Sequence, residues 1–217
     1  MRAYVLNQAH RTDRKEIMNE DFKDAPFTLE FTEGIQYHNP YSTRVENKYE
    51  AVALTHLELL KKAKRDGEKT LLLLEDDTIP SEDYKERWIQ IKEYLDANLD
   101  IWDTFNGGQL GITDVKKVIK LNKNNLLLYA YGGSNSHWMY FNVDSVLPKL
   151  QESFGQEKRL EIDMYYPLKC RNLAAFPFLG EQSVGFSDIS NVNRDWSVLY
   201  CETRRQMKRQ LRELMRD

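Results

Sequence analysis

Residues 71–74 are four consecutive leucines, and Glu75, Asp76 and Asp77 follow without a break. A continuous apolar run of strand length predicts a strand covered on both faces, in the middle of a parallel sheet. The stretch before it has a different period. Val45, Tyr49, Val52, Leu57, Leu60 and Ala63 recur at roughly helical spacing, the sequence turns Lys-rich, and Asp66-Gly67 closes it. Further back, AYVLN (3–7) reads as a short buried strand. The polar stretch after it reads as a loop entering a helix. FTLEF (27–31) alternates, as a strand with one wet face does, and HNPYSTR (38–44) carries turn chemistry.

Beyond the acids, Pro80-Ser81-Glu82-Asp83 should open a helix with Trp88, Ile91 and Leu95 on one face. Strands are expected at 101–108, 115–121, 125–133, 137–142 and 173–178, with Asn122-Lys123-Asn124 as a tight turn. Asp144 should cap a helix running to about Phe154, and 161–169 should be helical. The segment 202–217 reads as a basic amphipathic helix with Met207, Leu211, Leu214 and Met215 on one face. The order is α/β early and mixed later. It predicts one α/β domain over 1–217, with an open, mainly parallel central sheet and a less regular C-terminal half.

A chain of 217 residues, 41% hydrophobic and 30% charged, can bury the core such a domain needs. The formal net charge of −3 counts against a general nucleic-acid binder. Cys170 and Cys201 lack CxxC spacing and read as reduced thiols. No segment reads as a signal peptide or reaches membrane-spanning length, so a cytoplasmic protein is expected.

Ligands of open α/β sheets gather beyond the carboxyl ends of the strands. Glu75 and Asp77 would share a face there if the strand persists, and two carboxylates make a hard oxygen site for Mg²⁺ or Mn²⁺. A solvated acidic turn, with Asp76 or Asp77 capping the next helix, fits the same residues. An aspartate-nucleophile phosphatase fits poorly, because Glu75 and Ile79 fall where that chemistry needs Asp and a hydroxyl. Taken singly, His56 suits a packed histidine or a catalytic one, Asp163 a hydrogen-bonded acid or a general base, and Ser187-Asp188 a turn.

In order along the chain these pieces resemble glycosyltransferase family 25, the lipopolysaccharide- and collagen-modifying sugar transferases, and related virus-encoded enzymes. The matching residues are Asn7, Arg11, Asp13 and Arg14 in YVLNQAHRTDR, His56 in ALTHLELL, and Glu75-Asp76-Asp77. Ile162-Asp163 follows, then Pro177, Gln182 and Ser187-Asp188-Ile189 in PFLGEQSVGFSDI. Thr55 stands where the family has Ser, and Ala51-Val52 where it has Gly-Cys. The resemblance implies a single GT-A-type, Rossmann-like nucleotide-sugar-binding domain. It also implies transfer of a hexose from a nucleotide diphosphate sugar, first of all a uridine diphosphate sugar, to an acceptor hydroxyl of a glycan, glycoprotein or glycolipid. The family usually uses Mn²⁺ (or Mg²⁺) and usually inverts. Carried over, Asp77 and Glu75 hold metal and donor. Asp76, Asn7, Arg11, Arg14, His56 and Ser187 line the donor side, and Asp163, or else Asp188, deprotonates the acceptor. The C-terminal helix packs on the domain or turns its basic face to an anionic membrane. The rival readings are a metal-dependent phosphoryl-transfer or nucleotide-hydrolysing enzyme, and a non-catalytic sugar-binding relative.

Overall fold

The structure is a computed structural model. It describes all residues except 39, 42, 156–159, 189–190 and 216–217, together with the side chains at 44 and 45. Ile189 of the expected Ser-Asp-Ile motif therefore lies outside the described residues.

An eight-stranded sheet forms the centre, in the order β2-β1-β3-β8-β5-β9-β7-β6. Its strands are β1 (Arg2–Leu6), β2 (Thr28–Thr32), β3 (Thr70–Glu75), β5 (Thr104–Asn106), β6 (Asp114–Lys120), β7 (Leu126–Tyr131), β8 (Trp138–Asn142) and β9 (Asn172–Phe176). β2, β1 and β3 are mutually parallel, as are β5 and β9. β8 runs antiparallel between β3 and β5, and β7 runs antiparallel between β9 and β6. Six of the eight strands thus share one direction, with β7 and β8 opposed. The sheet is mainly parallel, as expected, but β3 has a parallel neighbour on one side only. Its unbroken leucines reflect burial on both faces, and a buried antiparallel neighbour satisfies that as well as a parallel one.

Alternation along β3 sends Leu72 and Leu74 into one layer and Leu71 and Leu73 into the other. The first layer holds Trp88, Ile91 and Leu95 of α3 (Tyr84–Ala97) and Met18 of α1 (Thr12–Asp21). The second holds Ala53, Leu57, Leu60 and Ala63 of α2 (Arg44–Arg65), Leu150 of α4 (Val143–Ser153) and Tyr165 and Tyr166 of α5 (Ile162–Lys169). Fully burying each leucine is worth about 1.5–3 kcal/mol, so this strand alone anchors both layers. A third cluster joins Leu128 and Ala174 of the sheet to Tyr200, Met207 and Leu211 of α6 (Ser197–Leu214).

Local chemistry sets the boundaries. α2 begins in a capping box: the Glu46 N–H donates to Thr43 Oγ1 (3.1 Å), and the Thr43 N–H donates to Glu46 Oε2 (2.7 Å). It ends where Gly67 takes φ 77°, a left-handed position that suits glycine. Two expectations need correction. Asn142 precedes α4, while Asp144 lies in its first turn and pairs with Lys64 at 2.6 Å. α6 starts at Ser197 rather than 202, and Leu214 and Met215 are exposed rather than packed. The buried stripe runs through Tyr200, Thr203, Met207 and Leu211; Leu214 and Met215 continue its period but sit at the helix end, where they are exposed.

Candidate functional site at the end of the leucine strand

β3 stops at Glu75, and β4 (Thr78–Pro80) leaves at once to pair with β10 (Gly180–Gln182). The turn between them throws the three carboxylates to different partners. Asp76 points toward β1. Leu6 is in register with Glu75, so the next residues, Asn7 and Asp76, emerge side by side. Asn7 Nδ2 donates to Asp76 Oδ2 (2.8 Å) and Arg14 Nη1 donates to Asp76 Oδ1 (2.6 Å). Asp76, buried at 9% exposure, is therefore a carboxylate whose charge is already matched.

Glu75 and Asp77 face the other way, together. The side-chain amide of Gln182 lies 3.1 Å from Glu75 Oε2 and 3.4 Å from Asp77 Oδ1. The nearest cation to Asp77 is Arg14, at 3.9 Å. Asp163 joins them from the first turn of α5: the Ser136 hydroxyl lies 2.6 Å from Asp163 Oδ1 and 2.6 Å from Glu75 Oε1.

The electrostatics follow from this crowding. Burial pushes Glu75 well above the usual carboxylate range, and the charges of Asp77 and Asp163 push further. Burial raises Asp77 to about 6 despite the opposing pull of Arg14. Asp163 is raised by burial, with the Ser136 bond acting against it. The cluster is short of positive charge. Its donors are hard oxygens, the kind that suits Mg²⁺ or Mn²⁺ when water and phosphate oxygens complete the shell. Among the described residues, no group of three or more His, Cys, Asp and Glu is arranged to hold a metal by itself.

A hairpin of β11 (Gly185–Ser187) and β12 (Val192–Arg194) leans over the Asp76 side. Arg14 Nη2 donates to the Phe186 carbonyl at 2.6 Å, and Lys48 Nζ donates to the Asp188 carbonyl. Arg11 pairs with Asp188 (2.7 Å) and with Asp13 (2.9 Å), and His10 lies 3.8 Å from Asp188. Ser187 closes the hairpin turn, its carbonyl accepting from the Asn191 N–H at 2.8 Å.

The structure thus gathers Asn7, Arg14, Glu75, Asp76, Asp77 and Asp163 at one strand end. Arg11, Ser187 and Asp188 stand on the flanking hairpin contact. His56 is elsewhere. It is 1% exposed, its Nδ1 lies 3.0 Å from the Tyr166 hydroxyl, and its ring stacks on Tyr166. Burial pushes it down to about 3, so it is a neutral core residue and not a direct donor contact. The helical period explains this, since Ala53 and Leu60 of the buried face flank it at i−3 and i+4.

Sequence reasoning misses Ser136 altogether. The only local signal is the loop that carries it, Gly132-Gly133-Ser134-Asn135, where Gly132, Gly133 and Asn135 have φ of 73°, 92° and 95°. A Cβ at Gly133 would come within 2.2 Å of the Leu110 carbonyl, so the close passage of two chains requires glycine there.

No protein-family model matches this chain, and no curated protein sequence does. Solved structures share its general shape. A protein from STIV is 13% identical over 84% of this chain and 85% of its own, with a TM-score of 0.44. A glycosyltransferase involved in the glycosylation of the major capsid of PBCV-1 is 13% identical over 71% of this chain, at TM-score 0.38, and the match spans 65% of that enzyme, less than two-thirds of it. The 4-diphosphocytidyl-2C-methyl-D-erythritol synthase of Anaerococcus prevotii is 12% identical over 94% of this chain and 80% of its own, with a TM-score of 0.39. These are loose likenesses, and the chemistry is carried by the side chains described above.

Proposed function

We propose that this chain is a metal-dependent glycosyltransferase. It moves a sugar from a nucleotide diphosphate sugar to an acceptor hydroxyl, with inversion. The observation that carries this reading is the convergence of Asp163, from a helix 88 residues downstream, on Glu75 and Asp77 at the carboxyl end of β3.

Asp77 and Glu75 would hold Mn²⁺ or Mg²⁺. When bound, such an ion offsets the negative charge that builds on a departing diphosphate. Arg14, held on Asp76 beside that site, adds a fixed cation on the donor side, and Asn7 keeps Asp76 aligned. An inverting transfer needs a base on the face opposite the leaving group. Asp163 takes the acceptor proton as the acceptor oxygen bonds the anomeric carbon and the diphosphate leaves with the old bond pair. Burial raises its pKa, the direction that strengthens a base. Asp188 is committed to Arg11 and serves to hold the hairpin. A uridine diphosphate sugar is the donor to try first.

α6 adds a second feature. Arg205, Lys208, Arg209 and Arg212 are exposed at helical spacing, beside exposed Leu214 and Met215. Basic side chains flanking an apolar pair suit an anionic lipid surface, where a lipid-linked acceptor would lie. No helix among the described residues is long and apolar enough to cross a membrane.

The test is a thermal-shift screen of nucleotide diphosphate sugars with Mn²⁺ and with chelator, followed by transfer and hydrolysis assays. Stabilisation that needs the metal, with transfer cut at least about 10²-fold to a residual rate in Asp163→Asn, is expected. Equal stabilisation under chelator removes the metal from the mechanism. Hydrolysis of free nucleotides without any transfer to sugar acceptors favours phosphoryl chemistry instead.

A further inference from the structure

Ser136 has no role in the site as read from sequence, yet it occupies the centre of it. It is 1% exposed, and its oxygen lies 2.6 Å from Glu75 Oε1 and 2.6 Å from Asp163 Oδ1. The hydroxyl has one proton and donates to one carboxylate at a time, so the second short contact needs either a proton on the other acid or a chain that holds the two together.

The surroundings can do the latter. The Glu75 N–H donates to the His137 carbonyl at 2.9 Å, which locks the residue after Ser136 to the end of β3. The residue before it is held twice: Asn106 Nδ2 donates to the Asn135 carbonyl (2.6 Å), and Asn135 Nδ2 donates to the Tyr200 hydroxyl (2.8 Å). The Ser134 N–H donates to the Leu110 carbonyl at 3.0 Å. Ser136 is therefore fixed to the sheet independently of its own hydroxyl. Asp163 is held differently. It projects from the first turn of a short helix, and among the described residues Ser136 is the side chain to which it is hydrogen-bonded.

We infer that Ser136 is a positioning residue of the transfer reaction: it holds the Asp163 carboxylate against the donor end of β3, leaving the second carboxylate oxygen to the acceptor. This rests on the glycosyl-transfer reading above. The proton passes from the acceptor hydroxyl to Asp163. The new bond joins acceptor oxygen to the anomeric carbon, and the bond pair of the broken C–O bond leaves on the diphosphate. Ser136 gains and loses nothing in that balance. It sets the angle and distance at which Asp163 meets the hydroxyl, and an error of about 1 Å in such placement costs on the order of 10²-fold in rate.

The experiment compares wild type, Ser136→Ala, Ser136→Thr and Ser136→Cys under saturating donor and metal, each also in an Asp163→Asn background. In S136A kcat should fall on the order of 10²-fold, and any change in donor KM, through the contact with Glu75, should be much smaller than that. S136T, which keeps a hydroxyl on Cβ, should restore most of the rate. S136C fills the space with a weak donor, should fall with S136A, and serves in its place if that variant folds poorly. In the D163N background S136A should add nothing, because it acts through Asp163. Unchanged kcat in S136A overturns the inference. So does an equal loss in both backgrounds, or a loss confined to donor KM, which would make Ser136 part of the donor site. A wild-type protein that neither binds nor transfers from any donor overturns the glycosyltransferase reading and this one with it. That failure shows in the wild type, before any variant is made.

Discussion

The guanidinium of Arg14 lies 2.6 Å from the carboxylate of Asp76, and only 3.9 Å from that of Asp77. One cation thus serves two neighbouring acids unequally. Asp76 becomes a matched structural charge, and Asp77 is left open to a further cation.

Replacing Arg14 by Ala should therefore destabilise the fold as well as the site. Arg14 and Asp76 have side chains 14% and 10% exposed, so Asp76 is left desolvated with Asn7 alone. The expected loss is near the low end of the roughly 3–5 kcal/mol seen when one partner of a buried pair is removed. R14A/D76N should regain at least half of it. Urea unfolding of the two variants decides this: a double mutant no more stable than R14A contradicts it.

Asp77→Asn should stabilise the metal-free protein. The folded-state pKa of Asp77 is raised from 3.8 to about 6. The folded protein keeps a proton that the unfolded chain has lost, so stability present below pH 3.8 is lost as pH rises through about 6. At pH 7 D77N avoids this loss, a gain of at most about 2–3 kcal/mol at roughly 1.4 kcal/mol per pKa unit. The gain should vanish at pH 3.5, and D77N should lose the Mn²⁺-induced rise in Tm. Equal Tm for wild type and D77N across this range, without metal, refutes the crowding argument.

The buried histidines act in the opposite sense. His56 and His137 are pushed down from 6.5 to about 3 and about 4 by burial. Their contribution is fully present above pH 6.5 and is lost as pH falls toward those values, because the unfolded chain takes up protons first. His56→Gln, which cannot titrate, should flatten the slope of unfolding free energy between pH 6.5 and 4. Because His56 lies in the core, donor Kd should change less than about threefold. A large loss of donor affinity in well-folded H56Q would return His56 to the donor site.

Charge reversal on α6 tests the lipid surface. Each Lys or Arg near an anionic membrane is worth about 1 kcal/mol, so R205E/R209E should cut partitioning onto phosphatidylserine vesicles at least about tenfold. Donor turnover in solution should be unchanged. Wild-type protein that ignores such vesicles at low salt ends the idea.

Much of this architecture is legible along the chain, and the reasons differ by element. β3 announces itself because double-faced burial removes polar alternation, and α2 because its stripe, its Lys-rich end and Gly67 agree. The antiparallel entry of β8 is hidden. The residues of a fully buried strand look alike whichever way it runs, and direction is set by a loop about thirty residues from β5. The acids at 75–77 mark a site, but not which of them is spoken for: the Arg14–Asp76 pairing spans 62 residues and appears only once β1 and β3 align. Asp163 stands out as a lone acid in an apolar stretch. Ser136 does not, since a serine in a glycine-rich loop is ordinary until its neighbours in space are known.

The attachment of the β11–β12 hairpin has a consequence of another kind. Arg14 grips the carbonyl of Phe186 and Lys48 that of Asp188, so these two tethers recognise main chain and are indifferent to the side chains they cross. The exposed Val184, Phe186 and Val192 can be exchanged without untying the hairpin. The strand end below is held by paired charges and register, while the surface above it is free to drift. A scaffold divided in this way lets the outer surface of the hairpin change quickly among descendants, with the carboxylate cluster passed on intact.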